Sequence, residues 1–146
     1  MIQTLNKLSQ AINDHYGYVS IEGSNFGEPV INSGPCGPFA NEFYHEWNKR
    51  FKLKVTICFV MEIAANDCYH VLIRLPDGKL YDGGIGVHDE SHYDDRFKIE
   101  EMKVYDLKLL DERSHGLERT YPRFCPSFNM TELRNLIRKY LDERGG

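Results

Sequence analysis

The sequence predicts an α+β protein in which a cysteine-bearing helix packs on an antiparallel sheet, with further helices at both ends of the chain. Two observations carry this reading. Downstream of Gly34-Pro35, the residues Phe39, Ala40, Phe43, Tyr44 and Trp47 keep one face apolar at helical spacing. Beyond them, Leu53–Ile63 and Cys68–Leu75 are rich in β-branched and aromatic residues, with Asn66-Asp67 between them. Such a pair reads as two antiparallel strands with a tight connection.

The elements follow in order. Ile2, Leu5, Leu8 and Ile12 recur at three- and four-residue steps, which predicts an amphipathic helix ending near Asn13-Asp14, before Gly17. Between Gly23 and Pro38 lies the one long irregular stretch. The break at Gly34-Pro35 puts Cys36 near the N-terminus of the second helix. After the first hairpin, Pro76-Asp77-Gly78 signals a turn, and Lys79-Leu80-Tyr81-Asp82 forms a further strand that stops before Gly83-Gly84. The stretch from Gly86 to Pro126 is charged, and the alternation in Lys103–Leu109 predicts another strand there. Asn129-Met130-Thr131-Glu132 reads as a capping box, and Leu133, Leu136, Ile137, Tyr140 and Leu141 continue at helical spacing.

Length and composition bound the function. At 146 residues the chain fits one domain, residues 1–146, by the rule of roughly 100 to 200 residues per domain. A domain of this size buries enough surface to fold without staples. Lys and Arg number 18 against 22 Asp and Glu, giving a net charge of −4 and a pI near 5.8. That is the wrong sign for a phosphate-backbone binder, so no nucleic-acid partner is expected. No apolar run approaches the ~20 residues that span a bilayer, and Met1–Lys7 lacks the pattern of a signal peptide. A cytoplasmic protein with no membrane partner is expected. Cys36, Cys58, Cys68 and Cys125 contain no C-x-x-C pair, so they are expected to be free thiols.

The order of chemistry-bearing residues is a cysteine at a helix start, a histidine in a strand and an aspartate ending the next strand: Cys36, His70, Asp82. A helix N-terminus favours a thiolate, because its unpaired N–H groups concentrate positive potential. An imidazole beside that thiol would stabilise the thiolate and later protonate a leaving group. His70 and Asp82 are separated by one Pro-Asp-Gly turn, so they can face each other on neighbouring strands, where Asp82 would orient the ring. The backbone N–H of Cys36 supplies one oxyanion donor, and Asn32 or Asn25 is a candidate for the second. This chemistry needs no cofactor and no metal.

These residues carry a family resemblance. Gly34-Pro-Cys-Gly-Pro-Phe-Ala40 resembles the G-x-C-x-x-F-A nucleophile motif of transglutaminase-like proteins, within the wider papain-like superfamily. His70-Val-Leu-Ile-Arg-Leu-Pro-Asp-Gly-Lys-Leu-Tyr-Asp82 is similar to the histidine and acid strands of that group, and to the H-V-x-I-x-L-x-D-G-K run of NlpC-type amidases. The similar region spans about residues 33 to 84. The resemblance implies a papain-like, transglutaminase-like fold with Cys36 as nucleophile, His70 as base and Asp82 as orienting acid. It implies a hydrolase or acyltransferase, of peptidase, deamidase or transglutaminase-like type, acting on a protein or peptide through a thioester. The chain departs from the pattern at Leu72, where transglutaminase-like motifs carry Trp, and at Asp82-Gly83-Gly84, where they carry D-P-T. The spacing of 34 from Cys36 to His70 is short for an NlpC enzyme. The subfamily stays open.

Other readings compete. A binding or inhibitor module that keeps this fold without turnover fits the small size and compressed motifs. Val87–Asp95 places His88 and His92 four apart among carboxylates, a candidate metal cluster, although the zincin motif needs Glu directly after its first His and Asp89 stands there. A solvated acidic loop rimming the cleft is the simpler expectation. Cys58, Cys68 and Cys125 read as structural, and Arg134, Arg138, Lys139 and Arg144 as a solvated helix face.

Overall fold

The computed structural model describes residues 2–16, 36–115 and 130–145 of the chain. Within them the architecture is α+β, with four α-helices and a five-stranded antiparallel sheet. The helices are α1 (Ile2–Tyr16), α2 (Cys36–Asn48), α3 (Leu107–His115) and α4 (Met130–Gly145). The strands are β1 (Thr56–Glu62), β2 (Asp67–Arg74), β3 (Leu80–Asp82), β4 (Gly86–His88) and β5 (Phe97–Met102), in the order β4-β3-β2-β1-β5. Among the described residues no helix is long and apolar enough to cross a membrane.

The sheet is built on the expected hairpins. β1 and β2 pair from Thr56↔Arg74 to Glu62↔Asp67, and Asn66 takes a left-handed φ of 51° in the turn between them. At Pro76-Asp77-Gly78 the chain reverses with Gly78 at φ 92°, and Leu75 N–H donates to the Lys79 carbonyl at 2.8 Å. β1 reads as an unbroken apolar run because both its faces are covered. Ile57, Phe59 and Met61 join Val71, Ile73, Tyr81 and Met102 against the helices, whereas Cys58 and Val60 join Leu72, Leu80, Tyr93, Phe97 and Ile99 on the outer face.

The helices supply the other half of the core. The α1 stripe Leu5, Leu8 and Ile12 is fully buried, as are Ala40 and Phe43 of α2 and Leu133, Ile137 and Leu141 of α4. Phe43 stacks on Trp47 within α2 at 5.8 Å, and its contact with the Tyr81 ring at 5.0 Å fixes α2 against β3. α1 also braces the far edge of the sheet with polar contacts. Tyr81 donates to the Leu5 carbonyl at 2.9 Å, Ser9 to the Asp82 carbonyl at 2.9 Å, and Val87 N–H to Asn6 Oδ1 at 2.9 Å. Gly86 makes the last contact possible: its φ is 90°, and a Cβ there would lie 2.5 Å from Asn6 Oδ1.

Two expectations are corrected. The strand placed at Lys103–Leu109 is β5, Phe97–Met102, and the chain then turns into α3. Asp106 causes the change, since its Oδ1 accepts the N–H groups of Lys108 and Leu109 as an N-cap and starts the helix at Leu107. Arg134 and Arg138 do not form a wholly solvated face. Arg134 holds Glu42 through two hydrogen bonds of 2.8 and 3.0 Å, and Arg138 reaches Glu46 at 3.1 Å, tying α4 to α2. The C-terminal helix itself is as expected, while Asn129 of its predicted cap lies outside the described residues.

Glu46 is the anchor of this contact. It is buried, and burial opposes its charge, but hydrogen bonds from Arg138, Arg50 and Lys49 outweigh that effect and hold its pKa at about 2. A carboxylate whose folded pKa lies below the ordinary 4.5 stabilises the fold above that value and loses its contribution as pH falls towards about 2. Urea unfolding should therefore show Glu46→Gln less stable by about 2 kcal/mol at pH 7, with the gap closing between those two values.

Candidate active site

α2 begins at Cys36, so the thiol sits in the first turn, where backbone N–H groups have no intrahelical acceptors. The side chain is 8% exposed. β3 pairs with β2 only at Ile73↔Tyr81 and Arg74↔Leu80. Continuing that register by one residue sets Asp82 across from Leu72, so His70, two residues further along β2, is its diagonal neighbour on the same face. Sequence alone left this register open. The ladder resolves it.

The three side chains meet. His70 Nε2 lies 2.7 Å from Asp82 Oδ2 with both groups buried, and the Cys36 thiol lies near enough to the His70 ring and the Val71 N–H for both to favour its charged form. With Nε2 committed to the carboxylate, Nδ1 is the ring nitrogen left for another partner. Asp82 is itself tied down. Its Oδ1 accepts the N–H groups of Gly84, at 2.9 Å, and Ile85, and Ser9 holds its carbonyl. The aspartate before Gly-Gly is thus a turn former through one oxygen and a histidine partner through the other.

Charge follows from this geometry. Burial alone would push the Cys36 thiol up, but the His70 hydrogen bond and charge, with the Val71 N–H, outweigh it and leave the pKa below the ordinary 9.0. Burial likewise opposes an imidazolium at His70, yet hydrogen bonds to Asp82 and Cys36 and their charges raise its pKa to about 10. Asp82 is held below the carboxylate range because the His70 contact and the Ile85 N–H overcome its burial. The arrangement favours a thiolate–imidazolium pair, a nucleophile and a proton donor in contact.

The neighbouring cysteines differ. Burial raises Cys58, and burial together with the Cys36 charge pushes Cys68 up to about 12. Both are free thiols. Cys125, Asn25 and Asn32 lie outside the described residues, so the second oxyanion donor stays an expectation.

The acidic segment after β4 brings up a further pair. His88 Nδ1 faces the Gly86 carbonyl at 2.8 Å and so carries the ring proton, leaving Nε2 to accept the Tyr93 hydroxyl at 2.9 Å. Burial lowers the His88 pKa and keeps this ring neutral. His92 stacks edge-on at 5.2 Å, but among the described residues no group of three or more His, Cys, Asp or Glu side chains is placed to hold a metal ion. Tyr93 lies within electrostatic range of Cys36 and Asp82. Tyr93, Ser9 and the Val71 N–H escaped sequence reasoning, because no motif marks them and each arrives from an element distant in the chain or from the backbone.

Comparison with protein-family models, curated proteins and solved structures found no match to this chain.

His70→Ala should leave the burial of Cys36 unopposed. Iodoacetamide labelling followed by peptide mapping should then show the half-reaction pH of Cys36 rising by about one pH unit or more. An unchanged midpoint would show that His70 does not set the thiol's acidity.

Proposed function

We propose that the protein is a cysteine-dependent amide hydrolase or acyltransferase of papain-like, transglutaminase-like architecture, acting on a protein or peptide through Cys36, His70 and Asp82. The observation that carries this reading is the contact of one low-pKa thiol with a buried imidazole that is itself held by a buried carboxylate. A structural cysteine needs no such arrangement, and Cys58 and Cys68 have their pKa values raised instead. A reducing compartment, the expected cytosol, would keep such a thiol free.

The chemistry balances with these groups alone. The Cys36 thiolate attacks the amide carbonyl carbon, forming a C–S bond and moving the π electrons onto oxygen, where the Cys36 N–H at the helix start is a donor. As the oxyanion collapses, the C–N bond breaks and His70 gives its proton to the departing amine, leaving a thioester. Water, or an amine in the transfer reaction, then attacks the thioester while neutral His70 removes its proton. Cys36 leaves as thiolate. Asp82 keeps the ring oriented and stabilises its charged form throughout.

The test is a panel of peptide amides with intact-mass detection of the acyl-enzyme. Cys36→Ser should form no thioester and lose on the order of 10⁴ in rate. The pH profile should be bell-shaped, rising as the Cys36 thiol ionises below its ordinary value and falling as His70 deprotonates near about 10. Equal turnover by Cys36→Ala would overturn the reading. So would a partner that binds both forms equally with no turnover, which is the behaviour of an inactive binding module.

A further inference from the structure

β2 contains a bulge beside the candidate nucleophile. His70 pairs with Val60 and Cys68 with Met61, so Tyr69 is the one residue between them that has no partner on β1. A bulge re-aims side chains, and here it turns Tyr69 to the same side as His70. Its ring meets Phe97 at 4.8 Å, and Phe97 belongs with Val60 and Leu72 on the outer face.

Tyr69 is nevertheless 63% exposed. A large ring displayed in this way contributes little to the core, and the fold does not require an aromatic residue there. The ring contacts continue from Phe97 to Tyr93, at 6.3 Å, and Tyr93 is fixed by His88. The result is a shelf of rings that starts next to His70 and ends at a hydroxyl within electrostatic range of Cys36 and Asp82. Arg96 lies over the Phe97 ring at 5.2 Å, is held by Asp94 and stands within electrostatic range of Tyr69, so an exposed guanidinium borders the shelf.

We propose that Tyr69, backed by Phe97 and Tyr93, forms a subsite for an aromatic or large apolar side chain of the amide substrate, next to the bond that Cys36 attacks. Tyr69 is then a specificity-determining residue. The inference rests on the reading of Cys36 as an acyl-forming nucleophile, and its test separates the two.

Three alkylating probes are compared on the full chain, with Cys36 labelling followed by peptide mapping: iodoacetamide, acetyl-alanyl chloromethyl ketone and acetyl-phenylalanyl chloromethyl ketone. In the wild type the phenylalanyl probe should label Cys36 about tenfold faster than the alanyl probe, the scale of one aromatic contact. Tyr69→Ala should bring that ratio close to one while the iodoacetamide rate at Cys36 stays within about twofold. Tyr69→Phe should keep the preference. Because the ratio compares two probes on the same thiol, partial damage to the site does not imitate the result. Equal rates in the wild type, or a preference that survives Tyr69→Ala, would overturn the subsite while leaving the nucleophile intact. A Cys36 no more reactive to iodoacetamide than Cys58 would overturn the nucleophile, and the subsite with it.

Discussion

A carboxylate that is 1% exposed has to be paired, because an isolated charge in that position is strongly destabilising. In this protein the partner of Asp82 is His70, at 2.7 Å, and much of the surrounding structure serves to make that pairing possible. The turn after β3 spends the N–H groups of Gly84 and Ile85 on the second carboxylate oxygen. α1 holds the Asp82 carbonyl through Ser9 and the following strand through Asn6. Removing any of these contacts loosens the acid, and the imidazole can be no better oriented than the acid that holds it.

Cys36 reaches this pair because of how β3 ends. The ladder between β2 and β3 stops at Ile73↔Tyr81, so the Val71 N–H and the His70 ring are open to the sulfur instead of being covered by another strand. α2 brings the sulfur there, and its position is set by aromatic packing along its buried face and by two arginines from α4. The ring contacts Phe39–Tyr81 and Phe43–Tyr81 fix the helix against the sheet. Glu42 and Glu46 receive Arg134 and Arg138 from α4. The thiol is thus held by the apolar packing of its helix and by the ion pairs that tie that helix to α4.

The outer face of the sheet is organised differently. Its cluster of Cys58, Val60, Leu72 and Leu80 is small, and it is closed by Tyr93, Phe97 and Ile99 from the segment that follows β4. Two of these closing side chains, Tyr93 and Phe97, are partly buried rings that also belong to the proposed subsite, so there the same residues would serve recognition and the burial of the sheet. His88 links the two roles, since its neutral ring anchors the Tyr93 hydroxyl.

The local features were legible in the sequence. Helical spacing located α1, α2 and α4, β-branched runs located β1 and β2, and Pro76-Asp77-Gly78 located the turn, because each signal depends on neighbours within a few residues. It also singled out Cys36, His70 and Asp82, since each sits at a recognisable position in its own element. Tertiary structure decided what depends on register and packing. Periodicity could not show that His70 and Asp82 are diagonal neighbours, because a slip of one residue preserves the pattern and reverses the face. Alternation in Lys103–Leu109 misled for a related reason: a weak strand signal there lost to the Asp106 cap. The bulge at Tyr69, the contacts of Ser9 and Asn6 and the place of Tyr93 arise only when distant segments meet. Nothing in the local chain encodes them, and the physical reason is that burial and hydrogen bonding are satisfied by the fold as a whole.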